Sequence, residues 1–350
     1  MTLSAFLTHL GFGAALCAVS AFLTWVLMKR VRIIDTPNER SSHTNPTPRS
    51  GGIAIVATFF VGLIALWVLS DDPVLSQSYF WAFCASAFLI AVVSIIDDLS
   101  GMSFRAKLML QIGCAITVMA LGVVVDQLSL PGVGVWHLGW LAYPLTLVWI
   151  VGLTNAFNFM DGIDGISGGT AALAAGFFAA ITFMQGSSFL YLVSLVIVAS
   201  SLGFLLWNWQ PAKIFMGDSG SQFLGFVLAV LAVMAGRFDA SHVSYFVMPM
   251  LFFHYIWDTT YTLIRRLRAG ERITQAHRSH LYQLMNRLGL SHARVTGVYM
   301  LIGTLQGLAA LLLVQLQGEL RIVVFVPFVV LQLFLTIGVT RRARAAGLIA

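Results

Sequence analysis

Charge is what this 350-residue chain has least of: Asp, Glu, Lys and Arg make up 10% of it, against about 25% in an ordinary water-soluble domain. That shortage excludes a surface turned to water on all sides. Cysteine is scarce as well. Cys17, Cys84 and Cys114 lie within apolar runs at no metal-ligand spacing, which excludes a disulfide framework and a cysteine metal site. No polar stretch is long enough for a separate soluble domain, the longest being Arg265–Arg294. Matched pairs of interrupted apolar segments in two halves, the usual pointer to a transporter site, are missing too.

In their place are long apolar blocks. Hydrophobic residues make up 59% of the chain and mean hydropathy is +0.88. A helix crossing the hydrocarbon layer needs ~20 such residues. Eleven blocks qualify, centred near Ala15, Phe60, Phe88, Thr117, Leu147, Phe177, Val196, Leu228, Phe253, Thr304 and Phe328. The expectation is one all-α polytopic membrane domain over residues 1–350 with about eleven transmembrane helices. The first block, about Leu3–Met28, is too long for a signal-peptide core, and its basic residues follow it.

Orientation follows from the basic residues. With the N-terminus periplasmic and the C-terminus cytoplasmic, 18 of the 20 Lys and Arg fall on the cytoplasmic side, and only Arg237 and Arg321 fall outside. Lys and Arg favour cytoplasmic loops, so this orientation is expected over its mirror image. The net charge of +6 therefore reports topology. No stripe of basic and aromatic residues suggests nucleic acid.

Carboxylates within or beside membrane spans are costly and point to function. Five form a pattern at the expected cytoplasmic span ends. Asp97 and Asp98 close one span in SIIDDLSGMSFRAKL, with Arg105 and Lys107 opening the next. The string TNAFNFMDGIDGISGG carries Asn155, Asn158, Asp161 and Asp164, each pair three apart and so on one face of a helix or tight turn. Asp218 sits in WNWQPAKIFMGDSGSQFLG, downstream of Lys213 and Phe215. The GDSG string resembles the surroundings of a serine nucleophile, but a membrane edge without a triad excludes that chemistry. Carboxylate and amide oxygens are hard ligands of the kind Mg²⁺ takes along with phosphate and water. Facing them is a cationic loop, with His277, Arg278 and His280 in AHRSHLYQ, whose donors suit a pyrophosphate. His43 and Arg49 come from NERSSHTNPTPRSGGIAI, a turn marked by its prolines and glycines. Gathered on one side of one membrane, these groups fit metal-assisted phosphoryl transfer.

The motifs PRSGG, DD, NAFNFMDGIDG, KIFMGDSGS and HRSH, in that order over nearly the whole chain, resemble those of the polyprenyl-phosphate N-acetylhexosamine-1-phosphate transferases. The resemblance implies a UDP-N-acetylhexosamine donor, undecaprenyl phosphate as acceptor, Mg²⁺ with Mn²⁺ as a substitute, release of UMP, and a bacterial inner membrane with the site on its cytoplasmic face. It implies Asp164 and Asp218 as metal ligands. It makes Asp97 and Asp98 the pair that orients or deprotonates the acceptor, and Lys107 a phosphate binder. Phe215 becomes a ring stacked on uracil, and His277–His280 the pyrophosphate loop. Catalytic roles are thus expected of Asp97, Asp98, Asp164 and His280. Substrate contacts are expected of Arg49, Lys107, Asn155, Asn158, Asp161, Lys213, Phe215, His277 and Arg278. A homodimer is compatible with this reading. Family members of peptidoglycan synthesis carry consecutive histidines where this chain reads AHRSHLYQ. The resemblance therefore leans to enzymes that start O-antigen or capsule repeats, with the phospho-MurNAc-pentapeptide translocase as the alternative. A transporter is a distant second class, because its site would lie near the midplane and not at one edge.

Overall fold

The computed structural model describes residues 3–31, 33–36, 46–70, 72–238, 243–272, 275, 277–316 and 318–349. His43 lies outside them. The chain runs α1 (Leu3–Arg30), a short antiparallel pair β1 (Ile34–Asp35) and β2 (Thr47–Pro48), α2 (Gly51–Leu69), α3 (Ser78–Ser100) and α4 (Phe104–Ala120). A hairpin follows, β3 (Gln127–Leu130) with β4 (Gly134–His137), then α5 (Ala142–Met160), α6 (Ile166–Met184), α7 (Ser188–Asn208) and α8 (Asp218–Arg237). The remainder is α9 (Val247–Leu251), α10 (Phe253–Arg268), α11 (Leu281–Arg287), α12 (His292–Leu313) and α13 (Val326–Ala345).

All eleven apolar centres fall inside helices. Among the described residues, nine helical segments are long and apolar enough to cross a membrane. The other two centres explain themselves. Thr117 lies on α4, which has only 17 residues. Phe253 lies on α10, separated from α9 by a break at Phe252. The protein is an all-α polytopic membrane protein.

α8 is its axis. Every residue from Ser219 to Ala235 is buried, with α2, α3 and α5 packed around it. Outer helices instead turn large apolar side chains to the lipid: Phe334 of α13 is 73% exposed and Leu69 of α2 is 78% exposed. Hydrocarbon is as apolar as leucine, so close helix approach in a membrane relies on small residues and van der Waals contact. α6 supplies them as buried Gly168, Gly169, Ala171, Ala172, Ala174 and Ala175 against α7 and α12.

Small residues also set where α8 begins. The main chain of Gly51 donates to Phe215 O and that of Gly52 to Met216 O, at 2.9 and 2.8 Å. A Cβ on Gly52 would stand 2.2 Å from the backbone nitrogen of Gly220. The glycines of PRSGG and GDSGS therefore exist to let α2 and α8 cross backbone to backbone, which fixes Asp218 beside the end of α3.

Candidate active site at the start of α8

Asp97 and Asp98 are adjacent in sequence but have different work. Asp98 turns both carboxylate oxygens to α8, accepting from the backbone N–H of Asp218 and of Ser219 at 3.0 Å each. The first N–H groups of a helix have no partner within it, so a buried carboxylate there is a strong anchor. Gly217 precedes them at φ +73, and a Cβ on it would meet Asp98 Oδ2 at 2.7 Å. Arg49 braces the same corner, its Nη2 donating to Asp98 O at 3.0 Å and lying 3.5 Å from Asp98 Oδ1.

Asp97 faces the other way. Its Oδ1 accepts from Met102 N and its Oδ2 lies 2.9 Å from Lys107 Nζ, which is also 2.9 Å from Asp218 Oδ2. Asp218 Oδ1 accepts from Asn158 Nδ2 at 3.1 Å. One ammonium thus sits between two carboxylates where the ends of three helices, α3, α4 and α8, meet.

Beneath it Asn155 opens a chain of amides whose other members, Gln111 and Gln222, sequence reading did not single out. Asn155 Nδ2 donates to Gln111 Oε1, Gln111 Nε2 to Gln222 Oε1, and Gln222 Nε2 to Asp218 Oδ2, at 2.6, 3.1 and 2.9 Å. Gln111 and Gln222 are both 2% exposed. Gln111 and Gln222 each take one bond and give one, so the chain ends by donating to Asp218. A buried glutamine within an apolar span was the available signal.

The two asparagines of α5 share a face, as their spacing requires. Asp161 and Asp164 do not, because α5 ends at Met160 and the chain turns before α6, with Gly165 at φ +75. Asp161 stays near the cluster: burial first, then the charges of Asp218 and Asp98, push its carboxyl up to about 7. Asp164 points elsewhere. Its Oδ1 is 3.1 Å from His292 Nδ1, and its Oδ2 accepts from Ala212 N at 3.1 Å. The structure therefore places Asp164 between α12 and the segment before α8, and not beside Lys107.

That segment carries two more expected residues. Phe215 N donates to Pro48 O at 2.7 Å, and Lys213 Nζ lies 5.3 Å from the centre of the Trp207 ring. On the cationic loop, burial followed by the charges of His280, Arg266 and Arg265 pushes His277 down to about 3. It is thus a neutral acceptor, its Nδ1 3.0 Å from Ser279 Oγ. Arg278 accepts at its carbonyl from Arg287 Nη1 at 3.1 Å. Arg265 donates to Ser279 O and Arg266 to Glu271 Oε2, both at 2.7 Å, so these two arginines shape the loop. His280 is 5% exposed and stacks on Phe159 at 6.0 Å. Tyr282 Oη donates to Phe159 O at 3.0 Å. The loop therefore closes directly over the end of α5 that bears Asn158 and the turn that follows at Asp161.

Another residue missed from sequence is Asp258 of α10, 1% exposed and 3.2 Å from His280 Nδ1. A lone aspartate in the apolar string FFHYIWDTTYT was a readable signal.

Comparison with known proteins fits this geometry. The model of a family described as glycosyl transferase family 4 matches residues 80–236, from α3 through α8. A Bacillus subtilis (strain 168) protein, a probable undecaprenyl-phosphate N-acetylglucosaminyl 1-phosphate transferase, is 36% identical over 82% of this chain and 80% of its own length. The undecaprenyl-phosphate alpha-N-acetylglucosaminyl 1-phosphate transferase of Yersinia pestis is 27% identical over 87% of this chain and 82% of its own. A phospho-N-acetylmuramoyl-pentapeptide-transferase of Lactiplantibacillus plantarum is 44% identical, but over 31% of this chain and 33% of its own.

Proposed function

This chain belongs to glycosyl transferase family 4, and we propose that it transfers an N-acetylhexosamine-1-phosphate from a UDP-sugar to undecaprenyl phosphate, releasing UMP. An oxygen of the acceptor phosphate attacks the β-phosphorus of the donor. The bond from that phosphorus to the bridging oxygen breaks, UMP leaves with the electron pair, and a lipid-linked sugar pyrophosphate remains. The names of the Bacillus and Yersinia relatives favour N-acetylglucosamine as the sugar, and the loop AHRSHLYQ, without consecutive histidines, favours a surface glycan such as O-antigen as the destination.

One observation carries the reading. Around the start of α8, among the described residues, three carboxylates, Asp97, Asp98 and Asp218, are paired with two cations, Lys107 and Arg49, and the carboxyl of Asp161 is held up at about 7 by burial and by the charges of Asp218 and Asp98. Such a site is short of positive charge before any phosphate arrives, so phosphates would enter together with a cation. Mg²⁺ fits the donor set. Asp97 and Asp218 direct oxygens at one point, now bridged by Lys107, and Asn158 stands beside them. Among the described residues no group of three or more His, Cys, Asp or Glu could hold a metal unaided. Mg²⁺ often takes one or two carboxylates and completes its octahedron with water and substrate phosphate. When bound, it would neutralise charge on the transferring phosphates. Asp164, expected as a second ligand, has both oxygens engaged elsewhere, and Asp164→Asn separates its role from that of Asp218.

The remaining roles follow from what each side chain has left to offer. Asp98 is committed to backbone, which supports Asp97 as the carboxylate that orients the acceptor phosphate or takes its proton. Lys107, released towards arriving phosphate, would bind it. Lys213, Phe215 and the loop from His277 to His280 would hold the donor. The carboxylates lie at one edge, which supports a site on the cytoplasmic face and weighs against transport.

Purified protein supplied with undecaprenyl phosphate and a panel of radiolabelled UDP-N-acetylhexosamines should form a lipid-linked product and UMP, most with the N-acetylglucosamine donor, and none in EDTA. No lipid product with any donor would overturn the reading. Reporter fusions after Ala350 and in the loop 236–241 should give opposite signals, and equal signals would overturn the eleven-span topology.

A further inference from the structure

The carboxylate of Asp258 is buried on α10, away from the charged cluster, and nothing said so far uses it. It has five donors. Oδ1 accepts from Leu281 N at 2.9 Å and Thr262 Oγ1 at 3.2 Å, and lies 3.2 Å from His280 Nδ1. Oδ2 accepts from Tyr299 Oη at 2.7 Å and Tyr282 N at 3.2 Å. Backbone N–H groups can only donate, and they occupy both oxygens. With two hydroxyls donating beside them, this setting favours the ionised acid, and against a carboxylate the imidazole presents a proton at Nδ1.

Burying a carboxylate is costly, and hydrogen-bonding it this fully only offsets that cost. A purely structural link between α10 and α11 could be made by apolar packing. What an anion supplies and packing does not is a fixed ring state. With Nδ1–H committed to Asp258, the free nitrogen of His280 is Nε2, and the ring plane is set by stacking on Phe159 and Tyr282, both at 6.0 Å. Phe159 directly follows Asn158, and Tyr282 Oη would touch a Cβ placed on Gly162 at 2.1 Å. The imidazole is thus clamped from α10 on one side and from the site's own turn on the other.

We propose that Asp258 is the positioning residue of the pyrophosphate loop: its carboxylate holds Nδ1–H of His280 and favours the imidazolium, whose Nε2–H is then turned to donate to the phosphates of the UDP-sugar. This rests on the transferase reading above. By its chemistry such a carboxylate acts through the histidine whose Nδ1–H it holds; the amide keeps its size but loses the charge and turns an NH2 towards one of the backbone N–H groups, so the ring state goes with it. Tyr299 gives the internal control, since it bonds the same carboxylate without touching the ring's protonation.

The test combines kinetics with a spectrum that needs no turnover. In purified full-length protein, Asp258→Asn should lower kcat/KM for the UDP-sugar by about 10²-fold, as supporting-shell changes do. It should add less than about twofold in a His280→Ala background, because coupled residues are not additive. Tyr299→Phe should stay within about threefold of wild type, and Asp258→Glu should recover part of the loss. A full and additive loss in the His280→Ala background, or normal kinetics for Asp258→Asn, would overturn the proposal. Imidazole ¹⁵N spectra of the wild-type protein, with His280 assigned by its absence in His280→Ala, should show Nδ1 protonated. An unprotonated Nδ1 would overturn it even if Asp258→Asn does not fold. Absent wild-type turnover with any UDP-sugar would count against the transferase reading, while the spectrum still decides this proposal.

Discussion

α8 presents Asp218 to Lys107 at its first residue and Arg237 to Asp126 at its last. Both pairs suit the helix dipole, acid at the N-terminus and base at the C-terminus. They differ in balance and company. At the far end, Asp126 meets Arg237 and accepts from Tyr245 Oη at 3.0 Å, one anion to one cation, with the arginine side chain 43% exposed. At the near end three carboxylates share two cations, Asp97 and Asp98 are buried, and amides are stacked beneath Asp218. A balanced, exposed pair is complete as it stands. An unbalanced, buried one is built to receive something positive.

The sharpest way to break this comparison is to neutralise one acid at each end. Asp218→Asn is expected to cost about 10³-fold in turnover, with the protein still inserted and folded. Asp126→Asn should leave turnover unchanged and cost under about 1 kcal/mol, as exposed ion pairs do. Equal effects, read in parallel lipid-product assays, would remove the distinction. Next in size, Asp98→Ala strands two buried N–H groups at the start of α8, at roughly 1–3 kcal/mol for each. Its melting temperature in detergent should fall clearly below that of wild type, and an unchanged value would show that Asp98 is no anchor. Smaller again is the contrast between glycines. Gly52→Ala drives a methyl into the backbone of Gly220, whereas Gly236→Ala meets only the Tyr245 ring. Overpacking costs about 1–3 kcal/mol, and the rigid backbone contact should lie at the upper end. If thermal melts rank the two variants the other way, α2 and α8 do not cross as tightly as described.

Much of this was legible from residues in a row. The eleven apolar centres all fall in helices because a chain in hydrocarbon must satisfy its backbone within each segment. Asp97, Asp98, Asp161 and Asp218 stood out because carboxylates in apolar surroundings are costly. What a row of residues does not carry is which distant group each one meets. Asp98 appeared to be half of a catalytic doublet, yet its partners are backbone N–H groups 120 and 121 residues away. Asp164 matched its neighbour Asp161 in spacing, but the turn after Met160 sends it to His292. Gln111, Gln222 and Asp258 sat in plain sight as lone polar residues in apolar runs. They gain meaning only when the helices that bear them are placed side by side.

Divalent-cation binding tests the central claim most directly. Mn²⁺ titrated into purified protein with UMP present, followed by electron paramagnetic resonance, should be held by wild type and by Asp126→Asn alike and be lost in Asp218→Asn. Retention of the bound ion in Asp218→Asn, at wild-type affinity, would contradict the account of α8's first residue as the centre of the site.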